Sequence, residues 1–191
     1  MAAGERLRAT GFACLLAAAR TGDECAIAEL WRVYRPQVLR YFKVAAPRCA
    51  EDLDAETWLE VARRLASFEG DEDAFRRFLF TVARHRLIDW QRREARRPAV
   101  VLYDRLPELP APDAATRVAA GIGLEAALSL LGGLPEPQRD AIALRVIADL
   151  SVGDVAELLG RTPGSVRVLC HRGLARLAAL VEPDDLVEAL A

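Results

Sequence analysis

Apolar side chains recur at intervals of three and four along most of this chain, and strict alternation is essentially absent, so the pattern predicts helices and no sheet. Ile27, Leu30, Trp31, Tyr34 and Val38 mark one helical face. Leu53, Trp58, Val61 and Leu65 form the buried stripe expected of a helix over Asp52–Ala66. Ser67-Phe68-Glu69-Gly70-Asp71-Glu72-Asp73 interrupts it with glycine and charge. A third helix is expected from Ala74 to Arg96, burying Phe75, Leu79, Val82 and part of the Leu87–Ile88 pair, and Pro98 ends it. Periodicity then fades over 98–123, where four of the ten prolines (Pro98, Pro107, Pro110, Pro112) and Gly121 and Gly123 fall. It returns at Leu124 and runs to about Val181, leaving a short acidic tail, 182–191. The expectation is an all-α fold of two small helical domains, 1–97 and 124–181, joined by a flexible linker. At about 3.3 Å per residue the linker spans roughly 85 Å, enough to hold the domains more than one turn of DNA (about 34 Å) apart.

The second domain carries the sharpest local signal. Ser151-Val152-Gly153-Asp154 reads as a capping box, in which serine accepts a backbone hydrogen bond and the acid returns one. The helix Val152–Leu159 follows, then Gly160 for a tight turn, then Thr162 as N-cap and Pro163 at the first helical position. From Thr162 to Leu180 the inward stripe is Val166, Leu169, Cys170, Gly173, Leu177 and Leu180, with Ser165, Arg167, Val168, His171, Arg172 and Arg176 on the other side. Two helices joined by a short glycine turn, with Arg, His and Ser at the start of the second, fit a helix-turn-helix that reads the major groove. A plain helical hairpin fits the same spacing.

Composition narrows the classes. The chain has 191 residues, 52% of them hydrophobic and 28% charged, which suits a folded protein. No apolar run reaches the length of a spanning helix. Arg6 and Arg8 ahead of Phe12-Ala13-Cys14-Leu15-Leu16-Ala17-Ala18-Ala19 imitate a secretory leader, but the pattern continues as an amphipathic helix, so it is read as the first helix of a cytoplasmic domain. Cys14, Cys25, Cys49 and Cys170 lack metal-ligand spacing, and with two distant histidines no metal centre and no cofactor is expected. Nothing resembles a P-loop or a catalytic triad, so no enzyme is expected.

The formal net charge of −2 conceals an abrupt change of sign. Residues 50–73 hold nine acids against two arginines, whereas 74–97 hold eight arginines against two acids. Lys43 is the only lysine, a bias that goes with a GC-rich genome. Arginines interleaved with aromatics from Phe75 to Arg93 suit phosphate neutralisation and base stacking. An acidic helix beside them is repelled by DNA and should face protein. A core helix with solvated arginines fits the same residues.

With these segments in view, the chain resembles the extracytoplasmic-function sigma factors of the sigma-70 family, of an actinobacterial kind, from about Leu15 to Leu180. Thr21-Gly22-Asp23-Glu24-Cys25-Ala26-Ile27-Ala28-Glu29-Leu30-Trp31 resembles the opening of sigma region 2, and Glu51-Asp52-Leu53-Asp54-Ala55-Glu56-Thr57-Trp58-Leu59 resembles region 2.2. Phe75–Arg97 resembles regions 2.3 and 2.4. Leu134-Pro135-Glu136-Pro137-Gln138-Arg139 with Leu150–Leu180 resembles region 4. Counterparts of regions 1.1 and 3 are not seen.

The resemblance implies a factor that joins core RNA polymerase and directs transcription initiation. It implies docking on the β′ clamp through Asp52, Asp54, Glu56, Thr57 and Glu60. The −10 element would meet Phe68, Glu69, Arg76, Arg77, Arg84, His85, Arg86, Trp90, Arg92, Arg93, Arg96 and Arg97. The −35 element would meet Arg161, Thr162, Ser165, Arg167, Val168, His171, Arg172 and Arg176, with region 4 also touching the β flap. Promoter DNA and an anti-sigma factor are the further partners implied, with no obligate homo-oligomer. Ala55 stands where the family often has glutamine, Trp58 where it often has phenylalanine, and Leu169 where many members carry a basic residue, so the −35 sequence does not transfer. A conventional helix-turn-helix regulator that never touches polymerase is the alternative, and a helical protein-interaction module a third reading.

Overall fold

The computed structural model describes residues 2–96 and 123–180, with side chains from Gly11 onward. Arg97, the expected linker as far as residue 122, and the tail from residue 181 lie outside the described residues. All regular structure among the described residues is helical. The first unit holds α1 (Ala2–Arg20), α2 (Glu24–Ala45), a short 3-10 turn (Pro47–Cys49), α3 (Ala50–Leu65) and α4 (Glu72–Arg96). The second holds α5 (Leu124–Gly132), α6 (Glu136–Ile142), a π turn (Ala143–Ile147), α7 (Val152–Leu159) and α8 (Pro163–Ala178).

Local chemistry sets the helix starts. Asp23 caps α2 by accepting from the Ala26 amide at 3.0 Å. Asp71 accepts from the Ala74 amide at 2.9 Å, so α4 begins at Glu72, two residues ahead of the expected start. Leu30, Tyr34 and Val38 of α2 are buried as the periodicity implies, but Trp31 is 43% exposed. On α3, Leu53, Val61 and Leu65 are buried while Trp58 is only half-buried. The inward positions between them belong to Asp54 and Thr57. The first core is aromatic: Phe75 on α4 meets Phe12, Tyr34 and Phe68 with ring centroids 5.7, 5.2 and 5.6 Å away.

In the second unit α7 and α8 cross as expected. Ser151 Oγ accepts from the Asp154 amide at 3.1 Å. The acid does not return a bond to the serine backbone; its carboxylate instead accepts from the Ser151 hydroxyl at 2.6 Å. Gly160 takes φ 61°, the left-handed conformation that glycine adopts without a Cβ penalty. Thr162 Oγ1 accepts from the Ser165 amide at 3.2 Å and opens α8. Gly173 lies against α6, where a Cβ would come within 2.5 Å of Ile142 Cδ1.

The two units pack on each other. Helix α2 runs against α5, α6 and the π turn. At Gly132 a Cβ would stand 3.5 Å from the Val44 carbonyl, and Lys43 Nζ pairs with Glu125 at 2.7 Å. Leu128, Leu131, Leu144 and Leu150 belong to one continuous apolar core with Tyr41 and Phe42. The domains that the linker length would allow to stand far apart are here in contact.

Candidate nucleic-acid interface

The loop after α3 folds back over α4 because Gly70 sits at φ 151°, where a Cβ would come within 2.7 Å of Ala74 Cβ. Phe68 is thereby laid beside Phe78 at 5.1 Å between centroids, with planes tilted by 30°. A cleft of about 420 Å³ opens here, its floor formed by Phe68, Phe78 and Ile88 and its rim by Glu69, Arg77, Arg84 and His85. Glu157 and Leu158 of the second unit complete its far wall. An aromatic floor can stack a planar base, and the two rim arginines carry the charge to neutralise adjoining phosphates.

The residues expected to meet the −10 element divide into two sets. Glu69, Arg77, His85, Arg92, Arg93 and Arg96 are exposed. Phe68, Arg76, Arg84, Arg86 and Trp90 are half-buried, and Arg97 lies outside the described residues. Arg86 pairs with Glu60 at 3.0 Å, and Arg92 with Asp89 at 3.8 Å. Arg76 pairs with Glu72 at 3.0 Å. Arg76, Arg77 and Arg84 also reach across to the second unit, so this stretch of the arginine helix faces protein here.

Two of the residues expected to dock on the clamp face inward on α3. Asp54 is 3% exposed and Thr57 fully buried. Thr57 Oγ1 donates to the Leu53 carbonyl at 2.7 Å, and Asp54 is held by Arg35. Both face inward because they fall on the same side of α3 as Leu53 and Val61. Glu60 is half-buried and engaged by Arg63, Arg64 and Arg86. Asp52 is exposed and Glu56 half-buried, and Leu59, 60% exposed, lies on this outer side.

Sequence reasoning missed an apolar groove of about 300 Å³ between α2 and α3, lined by Ile27, Trp31, Trp58 and Leu65. Arg35 stacks over the Trp31 ring at 5.0 Å. Spacing put both tryptophans on the buried stripes, and spacing alone does not separate a core indole from one at a groove edge.

On α8 the expected reading face is open. Arg161, Thr162, Arg167, Val168, His171, Arg172 and Arg176 are exposed and Ser165 is half-buried. Opposite them Val166 and Gly173 are buried against the rest of the unit. Cys170, also on the inner side, is half-buried with its thiol pKa pushed up by burial.

Comparison with known proteins agrees with this layout. Residues 30–97 match the sigma-70 region 2 family, and residues 124–177 match sigma-70 region 4. The ECF RNA polymerase sigma factor ShbA of Streptomyces griseus is 34% identical over 84% of this chain and 90% of its own. The ECF RNA polymerase sigma factor SigD of Mycobacterium tuberculosis is 32% identical over 97% of this chain and 86% of its own. In fold, CnrH, solved in complex with the cytosolic domain of CnrY, superposes with a TM-score of 0.59 at 22% identity, covering 87% of this chain and 94% of that one. RpoE of Bartonella quintana, solved with the anti-sigma factor NepR, gives a TM-score of 0.59 at 21% identity, covering 82% and 97%. Two sigma modules in order and relatives of this identity and coverage lead to one assignment: the chain belongs to the ECF RNA polymerase sigma factors of the sigma-70 family.

Proposed function

We propose how this alternative sigma factor divides its work between its two domains. The outer side of α3, with Asp52, Glu56 and Leu59 beside the Trp31–Trp58 groove, docks on the β′ clamp of core polymerase. An exposed and a half-buried acid with apolar surface beside them suit a protein partner and repel DNA. The Phe68–Phe78 cleft then receives an unstacked base of the −10 element while Arg77, His85, Arg92 and Arg93 track the strand. Unstacking costs a few kcal/mol, which stacking at about 1–3 kcal/mol per base offsets. Helix α8 enters the −35 major groove, with Arg167, His171 and Arg172 towards the base edges and Arg161 and Arg176 towards phosphate.

The observation that carries this reading is the solvent-facing Arg167–His171–Arg172 surface on a helix held from behind by Val166 and Gly173. The factor acts without catalysis of its own, in the cytoplasm beside polymerase; among the described residues no helix is long and apolar enough to cross a membrane. The solved relatives are held by CnrY and by the anti-sigma factor NepR, and the same class of partner is proposed for this chain. Run-off transcription with core polymerase from a GC-rich bacterium, on a library of genomic promoters, tests the reading. New factor-dependent start sites are expected. Tight duplex binding without any new start would overturn it.

A further inference from the structure

A large apolar side chain, Val168, stands where α8 points away from the protein. Val168 is 48% exposed, whereas Val166 and Gly173 on the same helix are buried and Cys170 and Leu177 pack against the apolar core. At about 3.6 residues per turn Val168 lies roughly 140–180° around α8 from Val166, Gly173 and Leu177, so it marks the crest of the outward face. Gly164, one turn earlier on the same line, has open space where a Cβ would be, and Ala175, two turns later, is exposed and carries only a methyl. Arg172 and Arg176 stand to one side of this line and Arg167 and His171 to the other, all exposed. The crest is therefore apolar and its flanks are cationic. Valine contributes little to the fold at an exposed helical position, because branching at Cβ costs χ1 freedom and exposure returns no burial.

We infer that Val168 is a specificity-determining residue of this factor, reading the C5-methyl group of a thymine in the −35 element by apolar contact. The inference rests on α8 being the −35 helix. Cations on both flanks match the two phosphate strands that bound a major groove, and the crest between them meets the base edges. Val168 falls in the second turn of α8, within the N-terminal part of a recognition helix that touches those edges. Of the four bases only thymine presents a methyl group in the major groove. An isopropyl group offers no hydrogen bond, so it discriminates by contact alone. Against thymine it removes apolar surface of both partners from water. Against cytosine it leaves a gap where the methyl would be, and against a purine it takes water from the N7 acceptor without replacing the bond. Gly164 and Ala175 keep the rest of the crest low, so the isopropyl group is what reaches furthest into the groove along this line.

The test uses the full chain with core polymerase from a GC-rich bacterium. Initiation is measured on a promoter obtained by start-site mapping, first with its −35 segment randomised, then with deoxyuridine in place of each selected thymine of either strand in turn. Wild type is expected to select a thymine and to lose about threefold to fivefold at the matching deoxyuridine, the worth of one methyl group kept from water. Val168→Ala should lose the preference at that position, keep the others, and respond equally to thymine and deoxyuridine there, the signature of coupling between the two groups. Val168→Ile should keep the methyl dependence. Thermal unfolding of Val168→Ala should be unchanged or slightly later, since alanine is the better helix former and no core contact is removed; a marked loss of stability would make Val168 a packing residue and overturn the inference. Methyl dependence that survives in Val168→Ala, or wild-type indifference to deoxyuridine at every selected thymine, would overturn the contact while leaving α8 as the −35 helix. A wild type that selects no upstream motif would defeat the reading of α8 itself, and the contact with it.

Discussion

Arg35 Nε donates to Asp54 Oδ2 at 2.8 Å, tying α2 to α3 through a carboxylate that is almost wholly buried. The same guanidinium reaches Glu51 Oε2 at 3.0 Å. Burial holds the Asp54 carboxyl above its usual range, and Arg35 draws it part of the way back. Removing Arg35 leaves a buried charge without its partner, so Arg35→Ala should cost about 2 kcal/mol near neutrality. The pH dependence has a definite sign. A carboxyl whose folded pKa lies above its unfolded value favours the fold when protonated, an advantage present below the unfolded pKa and lost as pH rises through the folded one. Arg35→Ala raises the folded pKa further. Its deficit against wild type should therefore shrink as pH falls into the carboxylate range, measured by thermal unfolding across pH.

The thiols should divide by exposure. Cys14 and Cys25 are exposed, whereas Cys49 and Cys170 are half-buried with pKa values pushed up by burial. The thiolate is the reacting species, so both effects slow the second pair. Timed alkylation with iodoacetamide followed by peptide mass spectrometry should label Cys14 and Cys25 first. Prompt labelling of Cys170 would contradict the packing of α8.

Gly173→Ala should destabilise the second domain although alanine is the better helix former. The added methyl would meet Ile142 Cδ1 at 2.5 Å and Gln138 Cβ at 3.3 Å. Ile142 is buried and cannot swing aside freely. Overpacking of 1–3 kcal/mol outweighs the roughly 1 kcal/mol gained in helix propensity, so a net loss of about 1 kcal/mol is expected in thermal or urea unfolding.

Arg167→Ala should lower promoter-specific transcription about fivefold or more while leaving core-polymerase affinity intact, since a good base contact discriminates by about 1–3 kcal/mol. Parallel run-off and polymerase-binding assays measure the two effects. Equal loss of both would remove Arg167 from the reading face.

The helical class, the helix-turn-helix and the sign change along the first domain are legible in the sequence because they are local. The Ser151, Gly160 and Thr162 signals act within a few residues of chain, and the structure shows each in place apart from the return bond of Asp154. The face of a residue on α3 is less legible. Asp54 and Thr57 belong to an acidic helix by composition, yet the helical period turns both inward, and Arg35, nineteen residues earlier in the chain, makes the burial of Asp54 tolerable.

The arginines of α4 carry the same lesson further. Their number and spacing follow from sequence alone, and with them the expectation of a phosphate-binding surface. That Arg76, Arg77 and Arg84 meet Asp149, Asp154 and Asp140 is decided only by tertiary structure. Those partners stand 56 to 77 residues away, on separate elements that are brought together by the packing of α2 against α5, α6 and the π turn. Helix periodicity and caps are written in short windows of sequence, whereas the pairing of charges across an interface depends on which apolar faces bury each other.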